Sequence, residues 1–466
     1  MSESKKPNIL LLFTDDQRFD TISALGYPVA TPNIDTLVAQ GTTFTSAYIM
    51  GGSCGAVCMP SRAMLMTGRS LYHIEGQGQS IAADHTLLGE ALQAGGYRTF
   101  GTGKWHNGPA AYARSFTDGG EIFFGGMDDH WNVPACDFDP TGKYDNSHPL
   151  VRSPFTGNDV IHRHVDHINV GKHSSELFAE TAIEFLENYA EDAPFFAYVS
   201  FMAPHDPRTM PKEFLEMYNP EDVELPENYM PKHPFDNGDL VLRDELLAGF
   251  PRTEDEIRRH NAEYYAMISH LDAQIGRILD ALDREGLRDN TIIVLAGDNG
   301  LAIGRHGLMG KQNMYDHSLH VPLLMAGPGI PAGERREAYA YLLDIYPTLC
   351  DLVGITIPDS VEGKSLHEVL EDPSTTRREA LLFAYRGFQR AVQDKRYKLI
   401  EYVVNGKRTT QLFDLAEDPW ELHTLAAEPA YQAKVRELRE ELRRWQTEMD
   451  DNQPGQGADF WSGYDA

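Results

Sequence analysis

Two polar pairs lie far apart in the chain, Asp15-Asp16 and Asp298-Asn299, and each directly follows a short apolar run, Asn8–Phe13 and Thr291–Ala296. Lys104 and His106 follow a third such run, Thr99–Gly101, and His205 follows a fourth, Phe195–Phe201. If these runs are strands of an open α/β sheet, all of these residues sit at carboxyl ends, where such sheets bind ligands. Adjacent carboxylates there are costly unless something positive binds them. Asp15, Asp16, Asp298 and Asn299 offer only oxygen ligands, which selects a hard cation, Ca²⁺ or Mg²⁺, over zinc. Acidic residues at strand ends also cap helices. Two sites on different strands, joined by Lys104, His106 and His205 at equivalent ends, favour a ligand site over capping.

A further stretch, Cys58-Met59-Pro60-Ser61-Arg62-Ala63-Met64-Leu65-Met66-Thr67-Gly68-Arg69, has Pro60 suited to the first turn of a helix running through Met66. Cys58 then sits at or just before the helix N-terminus, whose positive dipole end favours an anion and lowers a thiol pKa. Arg62 lies one turn on, so the two side chains share a face. On chemistry alone this is either a reactive cysteine or an ordinary helix start.

The elements that must position these groups read as α/β. Val321–Met325 is a fifth strand candidate. Helices are expected from Thr31-Pro32, with Thr31 as N-cap, through Leu87–Leu92, and over about Ile257–Glu285, each with an apolar stripe at helical spacing. Asn107–Lys172 and Tyr218–Pro251 read as irregular, and long loops in such domains are usually binding loops. Beyond about Asp372 the pattern becomes short antiparallel strands, Leu381–Tyr385, Arg390–Gln393, Tyr397–Tyr402 and Thr410–Phe413. A charged amphipathic helix, Tyr431–Glu448, and an irregular tail from Asp451 follow. This predicts a catalytic domain over residues 1–372 and a C-terminal α+β subdomain over 373–466.

The Cys58 segment resembles the signature of the type I sulfatases, C-x-P-S-R followed by an apolar turn and T-G-R. Pro7-Asn8-Ile9 to Asp15-Asp16, Gly103-Lys104-Trp105-His106, Pro204-His205, Gly297-Asp298-Asn299-Gly300 and Gly310-Lys311 resemble the family's remaining site motifs, in order. Leu412-Phe413-Asp414-Leu415 with Asp418-Pro419 is similar to its C-terminal subdomain. The resemblance implies the alkaline-phosphatase-like fold, a large mixed, mostly parallel sheet sandwiched by helices, with a smaller α+β subdomain built on a short antiparallel sheet. It implies that Cys58 is converted by a formylglycine-generating maturation enzyme to formylglycine, whose hydrate attacks sulfur. It implies one Ca²⁺ held by Asp15, Asp16, Asp298 and Asn299, with residue 58 completing the shell. Arg62, Lys104 and Lys311 would neutralise sulfate oxygens, and Asp298 would assist the attacking hydroxyl. His205, with Lys311, would protonate the leaving alcohol, and His106 would take a proton from the second hydroxyl.

The expected substrate is a sulfated small molecule or oligosaccharide, since the chain resembles microbial carbohydrate sulfatases. The alternatives are a phosphonate monoesterase or phosphodiesterase of the same superfamily, and an inactive relative that binds sulfated glycans. Secondary expectations are a surface or pocket-rim role for His162, His164, His167 and His173, a buried thiol at Cys54, and a substrate contact from Arg305. Against 41 Lys+Arg stand 70 Asp+Glu, a net charge of −29, which argues against nucleic acid or an anionic membrane as partner. Four cysteines without a CxxC exclude a disulfide framework or a zinc ribbon. The apolar run Ile9–Phe13 is too short for a signal peptide, so the sequence as written reads as cytoplasmic, or as periplasmic or secreted if a leader was removed. An acidic surface also predicts a preference for short or lightly sulfated substrates.

Overall fold

The computed structural model describes residues 5–153 and 155–466. Eight strands form the main sheet: β1 (Asn8–Thr14), β2 (Gly41–Phe44), β3 (Arg98–Lys104), β4 (Asp118–Phe123), β5 (Phe195–Ser200), β6 (Thr291–Gly297), β7 (Leu323–Ala326) and β8 (Glu334–Arg336). Their order is β8-β2-β7-β6-β1-β5-β3-β4. From β6 to β4 every pairing is parallel, and β7 runs antiparallel to both its neighbours. The fold is therefore the mixed, mostly parallel α/β sheet that the sequence predicts.

Side chains alternate across the sheet, and the apolar strands are buried on both faces. Ile9, Leu11 and Phe13 of β1 join one core with α2 (Cys58–Thr67) and α3 (Leu88–Ala94). Leu10 and Leu12 join the other, with α1 (Pro32–Gln40), α5 (Ser174–Asn188) and the long α6 (Glu254–Arg284). The helix between β3 and β4 is α4 (Pro109–Ser115).

A second sheet holds β9 (Leu381–Tyr385), β10 (Gln389–Gln393), β11 (Tyr397–Val404) and β12 (Lys407–Asp414), all antiparallel. Its fifth strand is the dipeptide Gly51–Gly52, parallel to β9, so the chain just before α2 is tied to the C-terminal sheet. α7 (Gln432–Glu448) packs on this sheet through Val435, Leu438 and Leu442.

Three expectations are corrected. Asn107–Lys172 is not irregular throughout, since it supplies α4, the edge strand β4 and two short antiparallel pairs. Its glycines hide the strand from propensity. A Cβ at Gly119 would stand 2.3 Å from Tyr112 Oη, so the close packing of α4 on β4 needs glycine there. The tail from Asp451 ends in a helix, α8 (Gly457–Asp465), with Phe460, Trp461 and Tyr464 buried. Its anchor is Asp451, which accepts from Trp461 Nε1 at 2.9 Å and pairs with buried Arg390 at 2.6 Å. Thr31 does not cap α1. The Asn33 and Ile34 amides donate instead to Asp272 of α6, at 3.1 and 2.7 Å.

Candidate active site

The topology places β6, β1, β5 and β3 side by side, and these are the four strands whose carboxyl ends carry the polar groups. Asp15 and Asp16 leave β1, Asp298 and Asn299 leave β6, Lys104 ends β3, and His205 follows β5. Two of the turns use left-handed backbone at non-glycine residues, Asp16 at φ 64° and His106 at φ 70°. Such positions cost about 1–3 kcal/mol and persist where the surroundings fix them.

α2 brings Cys58 to this cluster with its first residue. The helix is buried almost all round, and it stops at Gly68, whose left-handed φ of 65° lets its amide reach the Met64 carbonyl at 2.8 Å. Cys58 Sγ lies 3.5 Å from His106 Nδ1 and 3.7 Å from Lys104 Nζ. Lys104 Nζ also pairs with Asp15 Oδ2. Lys311 Nζ donates to Asp16 Oδ1 at 2.5 Å, and Asn299 Nδ2 donates to the same oxygen at 2.6 Å. His205 donates Nδ1–H to the Asp206 carbonyl at 2.7 Å, which leaves Nε2 turned toward Asp16 Oδ2 at 3.7 Å. The predicted residues Asp15, Asp16, Cys58, Arg62, Lys104, His106, His205, Asp298, Asn299 and Lys311 thus converge.

Arg62 takes a place that spacing alone does not reveal. It is fully buried, donating from Nε to Asp298 Oδ2 at 2.9 Å and from Nη1 to the Lys104 carbonyl at 2.9 Å and Ser200 Oγ at 2.6 Å. It does not line the cavity of about 210 Å³ in front of Cys58, whose walls include His106, Met127, His205, Leu242, Arg243 and Lys311. Its guanidinium holds the carboxylates from behind.

Burial and charge act against each other across the cluster. Burial alone would raise Asp15, but Lys104, His205, Arg62 and Lys311 outweigh it and hold the carboxyl far below its ordinary range. Asp298 goes the other way, pushed up to about 7 by burial and the Asp15 charge against the pull of Arg62 and Lys104. His106 is held well below the usual imidazole range by burial, with Lys104 and Arg62 adding to it, so it stays neutral. Burial also pushes the Cys58 thiol up to about 11, outweighing Lys104 and Lys311. Burial therefore opposes the thiolate that the helix dipole alone would favour at Cys58.

The donor set fits a hard cation. Asp15 Oδ1 and Asn299 Oδ1 are buried acceptors with no hydrogen-bond partner among the described residues. One ligand atom each from Asp15, Cys58 and Asp298 lie within 4.8 Å of one another, and so do atoms of Asp15, Asp16 and His205. Unpaired buried oxygens of this kind are what Ca²⁺ coordination satisfies.

Residues beyond the sequence reading support the site. Ser61 Oγ donates to the Asp298 carbonyl at 2.6 Å, and Ser200 and Tyr198 flank the Arg62 guanidinium. His130 contacts the His205 carbonyl through Nε2 at 3.0 Å. Arg243, from the Tyr218–Pro251 segment, reaches the cavity rim and pairs with Asp206. Ser200, a polar residue ending an apolar strand, is the one that left a trace in the sequence. The histidine cluster disperses: His162 and His164 are exposed, His167 meets Glu121, and His173 is fully buried as the cap of α5. Cys54 is part-buried. Arg305 pairs with Asp20 away from the Cys58 cavity.

Fold and site together define a hydrolase of the alkaline phosphatase superfamily, with its polar centre at the carboxyl ends of a mixed sheet. The family model described as Sulfatase matches residues 7–355, and that described as N-sulphoglucosamine sulphohydrolase, C-terminal, matches residues 304–448. The chain belongs to the sulfatase family, and it is a sulfatase. It is 30% identical to the ulvan-active sulfatase of Formosa agariphila, over 96% of this chain and 83% of that protein. Its fold matches a solved structure in complex with its substrate D-glucosamine-2-N,6-O-disulfate, with TM-score 0.73 and 24% identity, over 97% of this chain and 99% of the other. It also matches the phosphonate monoester hydrolase of Agrobacterium radiobacter, with TM-score 0.76 and 24% identity, over 95% and 96% of the two chains. Among the described residues no helix is long and apolar enough to cross a membrane.

Proposed function

We propose that this sulfatase removes sulfate from a carbohydrate monoester, using formylglycine made from Cys58 and one Ca²⁺ held by Asp15, Asp16, Asp298 and Asn299, with residue 58 completing the shell. The observation that carries the reading is the placement of Cys58 Sγ, the atom that would give way to the aldehyde hydrate, between His106 Nδ1 and Lys104 Nζ beside three buried carboxylates. Formylglycine supplies, as its hydrate, a nucleophilic hydroxyl and a second hydroxyl whose collapse to the aldehyde expels sulfate. Ca²⁺ supplies positive charge for the sulfate oxygens.

The chain's own residues do the rest. Neutral His106 presents Nδ1 to residue 58 and can hold the proton leaving its second hydroxyl. Asp298, with its carboxyl raised by burial, is the partner for the attacking hydroxyl. Lys311 and His205 line the cavity in front of Cys58, and His205 Nε2 is the proton donor to the leaving alcohol. Lys104 and Lys311 add positive charge where the bond breaks, and Arg62 fixes Asp298 from behind. The sugar assignment draws on the ulvan-active relative and on the long Asn107–Lys172 and Tyr218–Pro251 segments, which contribute Gly126, Met127, Leu242, Arg243 and Asp244 to the cavity wall. A maturation enzyme that forms formylglycine is then a required partner.

The similarity to a phosphonate monoester hydrolase keeps one competing reading open to test. Mass spectrometry of the Cys58 peptide from the native host should show conversion of thiol to aldehyde. Parallel turnover of aryl sulfate, a sulfated oligosaccharide panel and phenylphosphonate esters should favour sulfate. Persistent cysteine, or a strong phosphonate preference, overturns the reading.

A further inference from the structure

A second cavity, of about 630 Å³, opens between the turn Gly26–Pro28, the segment Met217–Glu227 and Trp420, and shares no lining residue with the cavity at Cys58. Its size falls within the range of small-molecule sites, roughly 300–1,000 Å³. Tyr27, Tyr218, Tyr265 and Trp420 supply aromatic walls. Tyr218 is fixed in place, accepting from the Ala30 amide at 2.8 Å and meeting Ser269 Oγ at 2.7 Å, with its ring centroid 5.8 Å from that of Tyr265.

The polar groups of this cavity are chemically specific. Arg305 is only 5% exposed; its Nη2 binds Asp20 Oδ2 at 2.7 Å while its Nε has no hydrogen-bond partner among the described residues. Asp20 is shared with Arg18, whose Nε reaches its other oxygen at 2.7 Å. Around the rim stand the exposed carboxylates Asp222, Glu224 and Glu227, of which Asp222 Oδ2 accepts from Asn219 Nδ2 at 3.2 Å; their remaining oxygens can accept from hydroxyls. Flat aromatic faces, carboxylate acceptors and one buried unpaired N–H together match a polyhydroxylated ring, apolar on its C–H faces and rich in donors and acceptors at its edge. The rim carboxylates repel a sulfate group, and Arg305 is already neutralised by Asp20, so tetramethylammonium is the competing ligand to test.

We propose that this cavity is a saccharide-binding site for an uncharged, unsulfated sugar unit. As a site for part of the substrate, the inference rests on the carbohydrate reading above. Asp20, which lines this cavity, follows Asp16 of the Cys58 cluster by four residues, so their Cα atoms are at most about 14 Å apart. Substrates would then carry a sulfated unit at Cys58 and an unsulfated unit here, and densely sulfated chains would be excluded.

The test is calorimetric titration of the full-length protein with neutral hexasaccharides of glucose, galactose, xylose and N-acetylglucosamine, and with tetramethylammonium as the cationic control. At least one hexasaccharide should bind, and Trp420→Ala should weaken it about tenfold, equivalent to about 1.4 kcal/mol. Asp222→Asn/Glu224→Gln, which alters exposed side chains only, should weaken it too. Aryl-sulfate kcat/KM should stay within about twofold in each variant, since neither touches the Cys58 cavity. The proposal falls if no hexasaccharide binds, if binding survives both variants, or if tetramethylammonium binds in preference. Turnover of aryl sulfate without turnover of any sulfated oligosaccharide overturns the substrate reading instead, and the titration still decides the cavity.

Discussion

Arg62→Met isolates what the buried guanidinium does. Methionine retains much of the side-chain volume beside the Phe13 ring, whose centroid lies 5.1 Å from the Arg62 guanidinium carbon. What is lost is the charge on Asp298 Oδ2 at 2.9 Å and the donors to the Lys104 carbonyl and Ser200 Oγ. Removing one partner of a buried ion pair costs about 3–5 kcal/mol, because the other charge stays buried and unpaired. The two acceptors left without a donor add about 1 kcal/mol between them where they cannot relax. For a chain of 466 residues unfolding as one unit, an unfolding entropy of about 2.1 cal/mol/K per residue converts this to a fall in Tm of roughly 4–6 °C.

The assay is scanning calorimetry at a pH above 8, so that Asp298, pushed up to about 7, is ionised. Run with chelator, the deficit should be full. With excess Ca²⁺ it should shrink, since the dication compensates the same carboxylates. Adding Asp298→Asn should recover most of the loss, giving a coupling of about 2 kcal/mol or more in the double-mutant cycle. A Tm within about 1 °C of wild type in chelator, or additive single and double variants, would refute the claim that Arg62 is held by charge.

Further outcomes follow from other parts of the molecule. Cys58→Ala should lower turnover of aryl sulfate by about 10⁴-fold or more while Tm barely moves, because a nucleophile is lost without a charge being stranded; residual activity near wild type would sink the assignment. Gly103→Ala should destabilise by about 3 kcal/mol and abolish activity, since a Cβ there would stand 1.9 Å from the Ser200 carbonyl at a φ of 86°, prising β3 and Lys104 from β5; a soluble, active variant contradicts this. Trp461→Ala should cost about 3–5 kcal/mol in denaturant unfolding, and an unchanged midpoint would mean α8 is not part of the core. Burial raises Asp272 to about 6 from 3.8, so between these values the folded state binds the extra proton and stability from this group rises as pH falls from 7 to 4. Asp272→Asn should flatten that part of the profile by up to about 3 kcal/mol, and an unchanged profile argues against it.

Much of the site could be read from residue type alone, because charged groups directly after apolar runs are expensive to place anywhere but at a ligand. Asp15-Asp16 and Asp298-Asn299 identified themselves this way, and so did the oxygen-only donor set. That they meet depends on β1 pairing with β5 and β6, contacts across hundreds of residues that no local pattern encodes. Cys58 shows the same limit in its chemistry. Its place at a helix N-terminus was legible and argued for a lowered thiol pKa, but the dominant force is burial, which is a property of the assembled fold. Arg62 shared a helix face with Cys58 as its spacing implied, yet spacing could not say that this face points into the protein. The α8 helix is hidden in the sequence because Gly455 and Gly457 look like a loop, while its stability comes from three aromatic residues packing on a distant sheet.

The net charge of −29 therefore describes the surface and not the centre. Asp15, Asp16 and Asp298 are balanced within the cluster by Arg62, Lys104 and Lys311, so the buried side chains alone are close to neutral. A dication bound there, as proposed, would leave a local excess of about two positive charges to draw in a sulfate ester and stabilise the charge that grows as its bond breaks. Surface carboxylates beyond about 8 Å are screened at physiological ionic strength and weigh little on a sulfate seated there. They weigh on whatever part of a glycan lies outside. If the second cavity holds part of the substrate as proposed, rim acids at Asp222, Glu224 and Glu227 would extend the same selection and reject a second sulfate there. On the proposed reading, low net sulfation of the substrate is the outcome expected from the contrast between a cationic centre and an acidic shell.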